Sequence, residues 1–599
     1  MKKRIAFAIV AIVVIVLVVG VKLYRDKFTV PLPEYRPIGN VTWLEQNWTP
    51  QQRDWFHHAD QGTQTFGVPY EWFIALEQPA LSLGAPGLLS DPIYLDRYGF
   101  IPDSRDPGQS ALSIGFAQGG PLKNPDGSAS LNPQTKAPMT SMGLTCAACH
   151  TGRFTYHNTT VLIDGGPALT RLDKFQVGVG LALLYTRYVP FRFDRFADRV
   201  LGSGASAEAK SELKTRLDQV LAQDEAIHKL EDGVKSRSVE EGFARLDALS
   251  RIGNFVFAVD LGVPANFVAY SAPVHFPRIW NSSWFEWVQY NGSIEQPMTR
   301  NAGEALGVRA AVNLIGSTDQ LYASSVQVQT LFDIEQLLAG KPPDVHTGFT
   351  GLNSPKWPAN ILPPINTELA AKGAVLYKEI CQGCHMAPVT DPEFWASPEW
   401  KSATPGGERH LDLEQIPITH VGTDPAEAAD MKNRHVLVPA CLGITSDGFG
   451  AALGQLVDFT VNHWYDSQQP PTSATMRVQM NGNRPSEVRA QLAYKVRPLN
   501  GVWATPPYLH NGSVPNVYAL LSPAAERPKK FYLGNREYDP VNLGYVTDEF
   551  PGGFQFDTTI RGNSNSGHEF GDDSKKEGVI GRSLSPDERR ALIEYLKTL

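Results

Sequence analysis

Leu144-Thr-Cys-Ala-Ala-Cys-His-Thr-Gly152 places two cysteines and a histidine within five consecutive positions, and Cys381-Gln-Gly-Cys-His385 repeats the arrangement later in the 599-residue chain. Zinc sites, redox dithiols and covalently attached haem all use Cys-x-x-Cys, so the surroundings must separate them. The chain has only five cysteines, Cys146, Cys149, Cys381, Cys384 and Cys441. That is too few for an exported disulfide scaffold. Neither motif has a second Cys-x-x-Cys or a His-x-x-x-His close by to complete a tetrahedral zinc site. In Cys-x-x-Cys-His the thiols add across the haem vinyl groups, and the histidine that follows becomes the proximal iron ligand. Two motifs predict two c-type haems, one on Cys146, Cys149 and His150 and one on Cys381, Cys384 and His385. Cys441, in Val436-Leu-Val-Pro-Ala-Cys-Leu442, reads as a small buried apolar residue.

A formal net charge of -8 gives no basic surface for nucleic acid, and 42% hydrophobic with 19% charged residues is ordinary globular composition. Met1-Lys-Lys-Arg4 followed by the apolar run Ile5 to Val21 reads as a secretory signal or an uncleaved membrane anchor over residues 1–28. The rest of the chain is then exported, to the periplasm or beyond, and held at the membrane if the segment is retained.

Asn366 caps a helical pattern whose apolar face carries Leu369, Gly373, Leu376 and Tyr377 and which runs directly into Cys381. Ser585-Pro-Asp-Glu588 is a capping box opening a terminal helix with Ala591, Leu592, Tyr595, Leu596 and Leu599 on one face. The two helices frame a cytochrome c unit over 362–599. The proline-rich stretch 341–364 marks the boundary with a larger haem domain over 29–345. There the first motif follows a Gly/Pro/Ser-rich loop, Gly115 to Gly143, and helical patterns cover Lys174 to Tyr188 and Ser206 to Glu231. The expected fold is mainly α: two c-type cytochrome domains with long loops and extra helices.

Several blocks carry a family resemblance: Thr145 to Gly152, Ile163-Asp-Gly-Gly-Pro167, Arg300-Asn-Ala-Gly-Glu-Ala-Leu-Gly-Val308, Tyr494 to Ser513 and Gly562 to Phe570. With them the chain resembles the di-haem cytochrome c peroxidase superfamily, and more closely its large branch of rubber oxygenases and bacterial fatty-acid dioxygenases. The resemblance implies that His568, in Gly562-Asn-Ser-Asn-Ser-Gly-His568, closes the second haem as its sixth ligand. Met476 and Met480 are the rivals, since ordinary di-haem peroxidases place a methionine there. Thr505 and Pro507 match superfamily positions that help hold a calcium ion, with no third ligand identifiable.

From Asn158 to Ile227 there is no histidine or methionine to cap the first haem. His157 is seven residues past His150 and reads as structural. The first haem is therefore expected to be five-coordinate and reactive. Trp280, Trp284, Phe285, Trp287 and Asn301 are its candidate pocket residues, with an aromatic core as the competing reading of the tryptophans; His275 and Glu304 are further polar groups to examine. The expected activity is insertion of O2 into an unsaturated lipid, a monounsaturated fatty acid such as oleate or polyisoprene. Hydrogen peroxide reduction fed by a small redox donor protein is the alternative enzyme, and plain electron transfer the alternative without catalysis.

Overall fold

The computed structural model describes residues 30–37, 39–80, 84–103, 112–123, 128–315, 320–402, 407–573 and 575–599. The expected signal or anchor lies outside them. No described helix is long and apolar enough to cross a membrane. Helix outweighs strand, about 38% against 15%, and the described strands form one three-stranded and seven two-stranded sheets.

The first motif is framed by strands rather than helices. Strands β1 (Phe116–Pro121) and β2 (Thr140–Leu144) pair antiparallel and deliver the chain to Thr145. Immediately after His150, β3 (Thr151–Tyr156) and β4 (Thr159–Asp164) form a hairpin about the turn His157-Asn158. Neither hairpin was expected. Thr160 to Asp164 are all buried, so burial is continuous along the strand, with Val161-Leu162-Ile163 as its apolar centre, and lacks the alternation that marks a half-buried strand. Gly115, at φ +91°, lets this scaffold close on the motif, because a Cβ there would sit 2.4 Å from the Ala148 Cα.

The expected helices form as α1 (Leu172–Tyr188) and α2 (Ala207–Val234), the latter capped by Ser206, and the two are joined by an Arg187–Asp218 ion pair. Two further helices, α3 (Pro297–Gly307) and α4 (Val328–Ala339), pack together. Helix α5 (Thr367–Ile380) is capped by Asn366, and α6 (Pro586–Leu596) carries the full Ser585/Glu588 capping box. They cross where Gly373 meets the Ala591 carbonyl, and Tyr377 packs on Tyr595 at 5.2 Å between ring centres.

One core cluster contains Leu44, Phe154 and Trp280 together with Tyr377, Trp503 and Leu592. The proline-rich stretch contributes Leu352, Trp357 and Leu362 to the same cluster. Hydrophobic burial thus joins the two halves through the segment that divides them in sequence. Cys441 is exposed, contrary to expectation. Its 3-10 turn, Ala440–Leu442, points Leu442 inward, and the Tyr322 hydroxyl donates to the Leu442 carbonyl.

Gly373→Ala places a methyl 2.1 Å from the Ala591 carbonyl oxygen. The expected outcome is a loss of about 1–3 kcal/mol from overpacking, outweighing the ~1 kcal/mol gain in helix propensity. A fall in the thermal unfolding midpoint measures it.

Candidate haem centres

The two pentapeptides fold alike although one follows a strand and the other a helix. In the first, the amides of Cys149 and His150 donate to the Cys146 carbonyl at 3.2 and 2.9 Å; in the second, Cys384 and His385 donate to Cys381 at 3.2 and 2.9 Å. Each is a single helical turn that brings the cysteines and histidine of the motif onto one face. No disulfide links any of the five cysteines. Burial pushes the thiols of Cys146, Cys149 and Cys381 up to about 12.

Each motif histidine is fixed the same way. His150 Nδ1 lies 2.8 Å from the Pro277 carbonyl and His385 Nδ1 lies 2.8 Å from the Arg497 carbonyl. A carbonyl only accepts, so both Nδ1 atoms carry the proton and both Nε2 lone pairs are free for a metal. Burial lowers both imidazoles, His150 to about 4, and keeps them neutral.

Across from His385 stands His568, with 6.2 Å between ring centres and 52° between ring planes. A metal about 2.0–2.1 Å from each nitrogen, with about 1.1 Å from nitrogen to ring centre, requires roughly 6.2 Å. The observed ring separation is compatible with one metal ion held between the pair. The His568 amide donates to the Val421 carbonyl at 2.7 Å. Arg527, which sequence reasoning missed, holds the loop by donating to the carbonyls of Asn565, Gly567 and His568. The His568 Nδ1 is buried without a partner, and burial pushes the ring down to about 3. Met476 is exposed and Met480 packs in a separate core cluster with Phe449 and Tyr465.

His150 lines a cleft of about 720 Å³ of empty space that runs out into solvent. Helix α3 presents Arg300, Asn301 and Glu304 to it, and α4 presents Ile334 and Leu338, one turn apart. Of the five expected pocket residues, Phe285 and Asn301 line the cavity. The three tryptophans do not. Trp280 is in the main core with its Nε1 on the Asn500 carbonyl, Trp284 donates to the Ala339 carbonyl in another cluster, and Trp287 lies under Arg489 at 3.6 Å. For the tryptophans the structure follows the competing reading of an aromatic core, because aromatic density in a sequence does not say which way the rings face. His157 is exposed in its turn, and buried His275 lies beside Arg245 off the cavity wall. The Thr505 hydroxyl donates to the Val502 carbonyl at 2.9 Å. Among the described residues no group of three His, Cys, Asp or Glu could hold a metal.

Residues 493–532 match the RoxA-like, cytochrome c-like family. The chain is 58% identical over 575 residues to the uncharacterized protein y4iJ of Sinorhizobium fredii (strain NBRC 101917 / NGR234), covering 96% of this chain and 95% of that protein. The chain belongs to the y4iJ family. It is also 27% identical over 341 residues to the uncharacterized protein y4iM of the same strain, covering 54% of this chain and 63% of that one. A cytochrome c-like domain implies covalently bound haem c.

The part of this y4iJ relative matched to the cytochrome family carries the residues that make the cavity fit such a group. Lys495, Arg497 and Arg278 line it, and none of the three forms an ion pair with a described residue. Desolvation pushes Arg278 down to about 9, Arg497 to about 10 and Lys495 well below the ordinary lysine value. Unpaired cations in such a place are costly without anionic partners, and haem brings two propionates. Glu304 projects into the same cavity, accepts from Gln289 Nε2 at 3.0 Å, and is raised by desolvation. Beneath it Arg300 pairs with buried Glu335, which also accepts from Asn301 at 3.1 Å.

Arg300→Met would leave the Glu335 carboxylate buried without its cation. The expected cost is about 3–5 kcal/mol in denaturant unfolding, with Arg300→Met/Glu335→Leu recovering most of it.

Proposed function

We propose that this protein is an exported di-haem oxidoreductase of the rubber-oxygenase type, in which His150 and His385 each hold a haem and only the first is open for chemistry. The carrying observation is the asymmetry between the centres: His385 is faced by His568 at the separation of a shared iron, whereas His150 faces a cavity. Haem c supplies one-electron iron chemistry and, where its sixth position is free, a place to activate O2 or peroxide.

The chain supplies the rest. The Pro277 carbonyl orients His150; Arg278, Lys495 and Arg497 set a positive potential suited to propionates. Phe285, Val288, Ile334 and Leu338 give the cavity an apolar wall able to take a hydrocarbon chain. The proposed substrates are O2 and an unsaturated lipid, a monounsaturated fatty acid such as oleate or else polyisoprene, with both oxygen atoms entering the product as a hydroperoxide or as cleaved ends. Export rests on the basic-apolar sequence of residues 1–28, which serves as signal or anchor.

The Glu304–Gln289 pair favours a second reading, reduction of hydrogen peroxide to water with two electrons from a small redox donor protein. A protonatable carboxyl on the cavity wall is what oxygen–oxygen cleavage by proton transfer needs. Plain electron transfer gives no role to an open cavity.

Two haems per chain are expected by pyridine haemochromogen assay. His568→Ala keeps both attached and turns the second iron from low to high spin, while Met480→Leu leaves the spectrum unchanged. Incubation with oleate under ¹⁸O2 should give doubly labelled hydroperoxide. Absence of label with both oleate and polyisoprene overturns the oxygenase reading, and peroxide turnover with a reduced cytochrome outpacing O2 uptake establishes the second.

A further inference from the structure

The carbonyl that fixes one motif histidine and the carbonyl that fixes the other belong to two segments braced against each other. His150 Nδ1 donates to the Pro277 carbonyl at 2.8 Å. One residue on, the Arg278 carbonyl accepts from an Arg497 guanidinium nitrogen at 2.8 Å. The Arg497 carbonyl in turn accepts from His385 Nδ1 at 2.8 Å. Three hydrogen bonds and two short stretches of backbone therefore run from one histidine to the other.

The brace is reciprocal. The Arg278 guanidinium donates back to the Pro498 carbonyl, Trp280 Nε1 donates to the Asn500 carbonyl at 3.0 Å, and Asn500 Nδ2 donates to Asn281 Oδ1 at 2.6 Å. Residues 278–281 and 497–500 are thus tied by at least four side-chain bonds. Neither arginine has a carboxylate partner among the described residues. Their donors serve backbone carbonyls, an arrangement that solvates a desolvated cation poorly but fixes two peptide planes firmly.

We propose that Arg497 is a positioning residue that couples the two haem-ligating histidines, by holding the peptide segment that orients His150 while its own carbonyl orients His385. The proposal rests on the reading that both histidines bind haem iron. The hydrogen bond from Nδ1–H raises the electron donation of the other ring nitrogen to the metal. A displacement of either segment alters that bond at both ends, so neither iron's ligand field is set independently of the other. Asn500 gives the contrast needed to separate this from charge: it is uncharged and off the cavity wall, yet its side chain makes one of the bonds of the brace.

The test uses the haem-loaded full chain. Haem content is measured first, then the iron–histidine stretching band of the ferrous first haem by resonance Raman, with ferric electron paramagnetic resonance of both haems in the same samples. Arg497→Ala keeps the carbonyl that holds His385 and removes the contact to the Arg278 carbonyl, and is expected to shift the first haem's band to lower frequency and to alter its ferric signal. Arg497→Gln, which is neutral and too short to keep the Arg278 contact, does the same where the alanine variant fails to fold. Asn500→Ala, which removes the Asn281 bond of the brace and no charge, is expected to shift the first haem's band in the same direction by a smaller amount. Unmoved first-haem signatures in Arg497→Ala or Arg497→Gln overturn the coupling, as does a shift in those variants with none in Asn500→Ala, which would assign the effect to charge. A wild-type chain holding a single haem overturns instead the two-centre reading on which the coupling stands.

Discussion

A neutral imidazole offers a metal one nitrogen only when the proton is held on the other, and here a backbone carbonyl holds it at each motif. Pro277 and Arg497 do this for His150 and His385 at the same 2.8 Å. Much of the surrounding architecture places those two carbonyls. The strand hairpins flank the first motif, helix α5 leads into the second, and the segments carrying Pro277 and Arg497 lie side by side in a core drawn from both halves of the chain. The tautomer is decided by geometry, with burial lowering both rings so that they stay uncharged.

The same convergence creates a charge problem whose solution points to the ligand. Arg278, Lys495 and Arg497 reach one cavity, and no described acid pairs with them. Arg300, on the same wall, is paired with Glu335 and so is spoken for. Basic side chains without a described carboxylate partner make the pocket suited to an anionic ligand. Against this polar rim stand Phe285, Ile334 and Leu338, so the cavity combines a basic rim with an apolar wall.

Much of the site was legible without coordinates. The matching turns of the two pentapeptides were legible because each is built from five contiguous residues. His568 was legible as a lone histidine among small residues, and its loop does approach closely: a Cβ on Gly567 would lie 2.2 Å from the Gly422 backbone. The helix caps at Asn366 and Ser585 were legible because capping is local. The tryptophans of the 276–290 run were misplaced because composition gives no direction to a side chain. Cys441 was misplaced because an apolar run in a 3-10 turn buries only some of its members.

What the sequence determined by itself was confined to neighbours: two Cys-x-x-Cys-His turns, and helices whose ends are written in a few residues. What only the tertiary structure decided was how the surroundings of the two motif histidines differ. Arg278 and Arg497 are 219 residues apart in sequence, and His385 and His568 meet across the core from distant loops. A ligand's partner, a cavity's charge and the open or closed state of a metal site are set by groups brought together from remote positions. No local pattern encodes them, because the free energy that assembles them is burial summed over the whole fold.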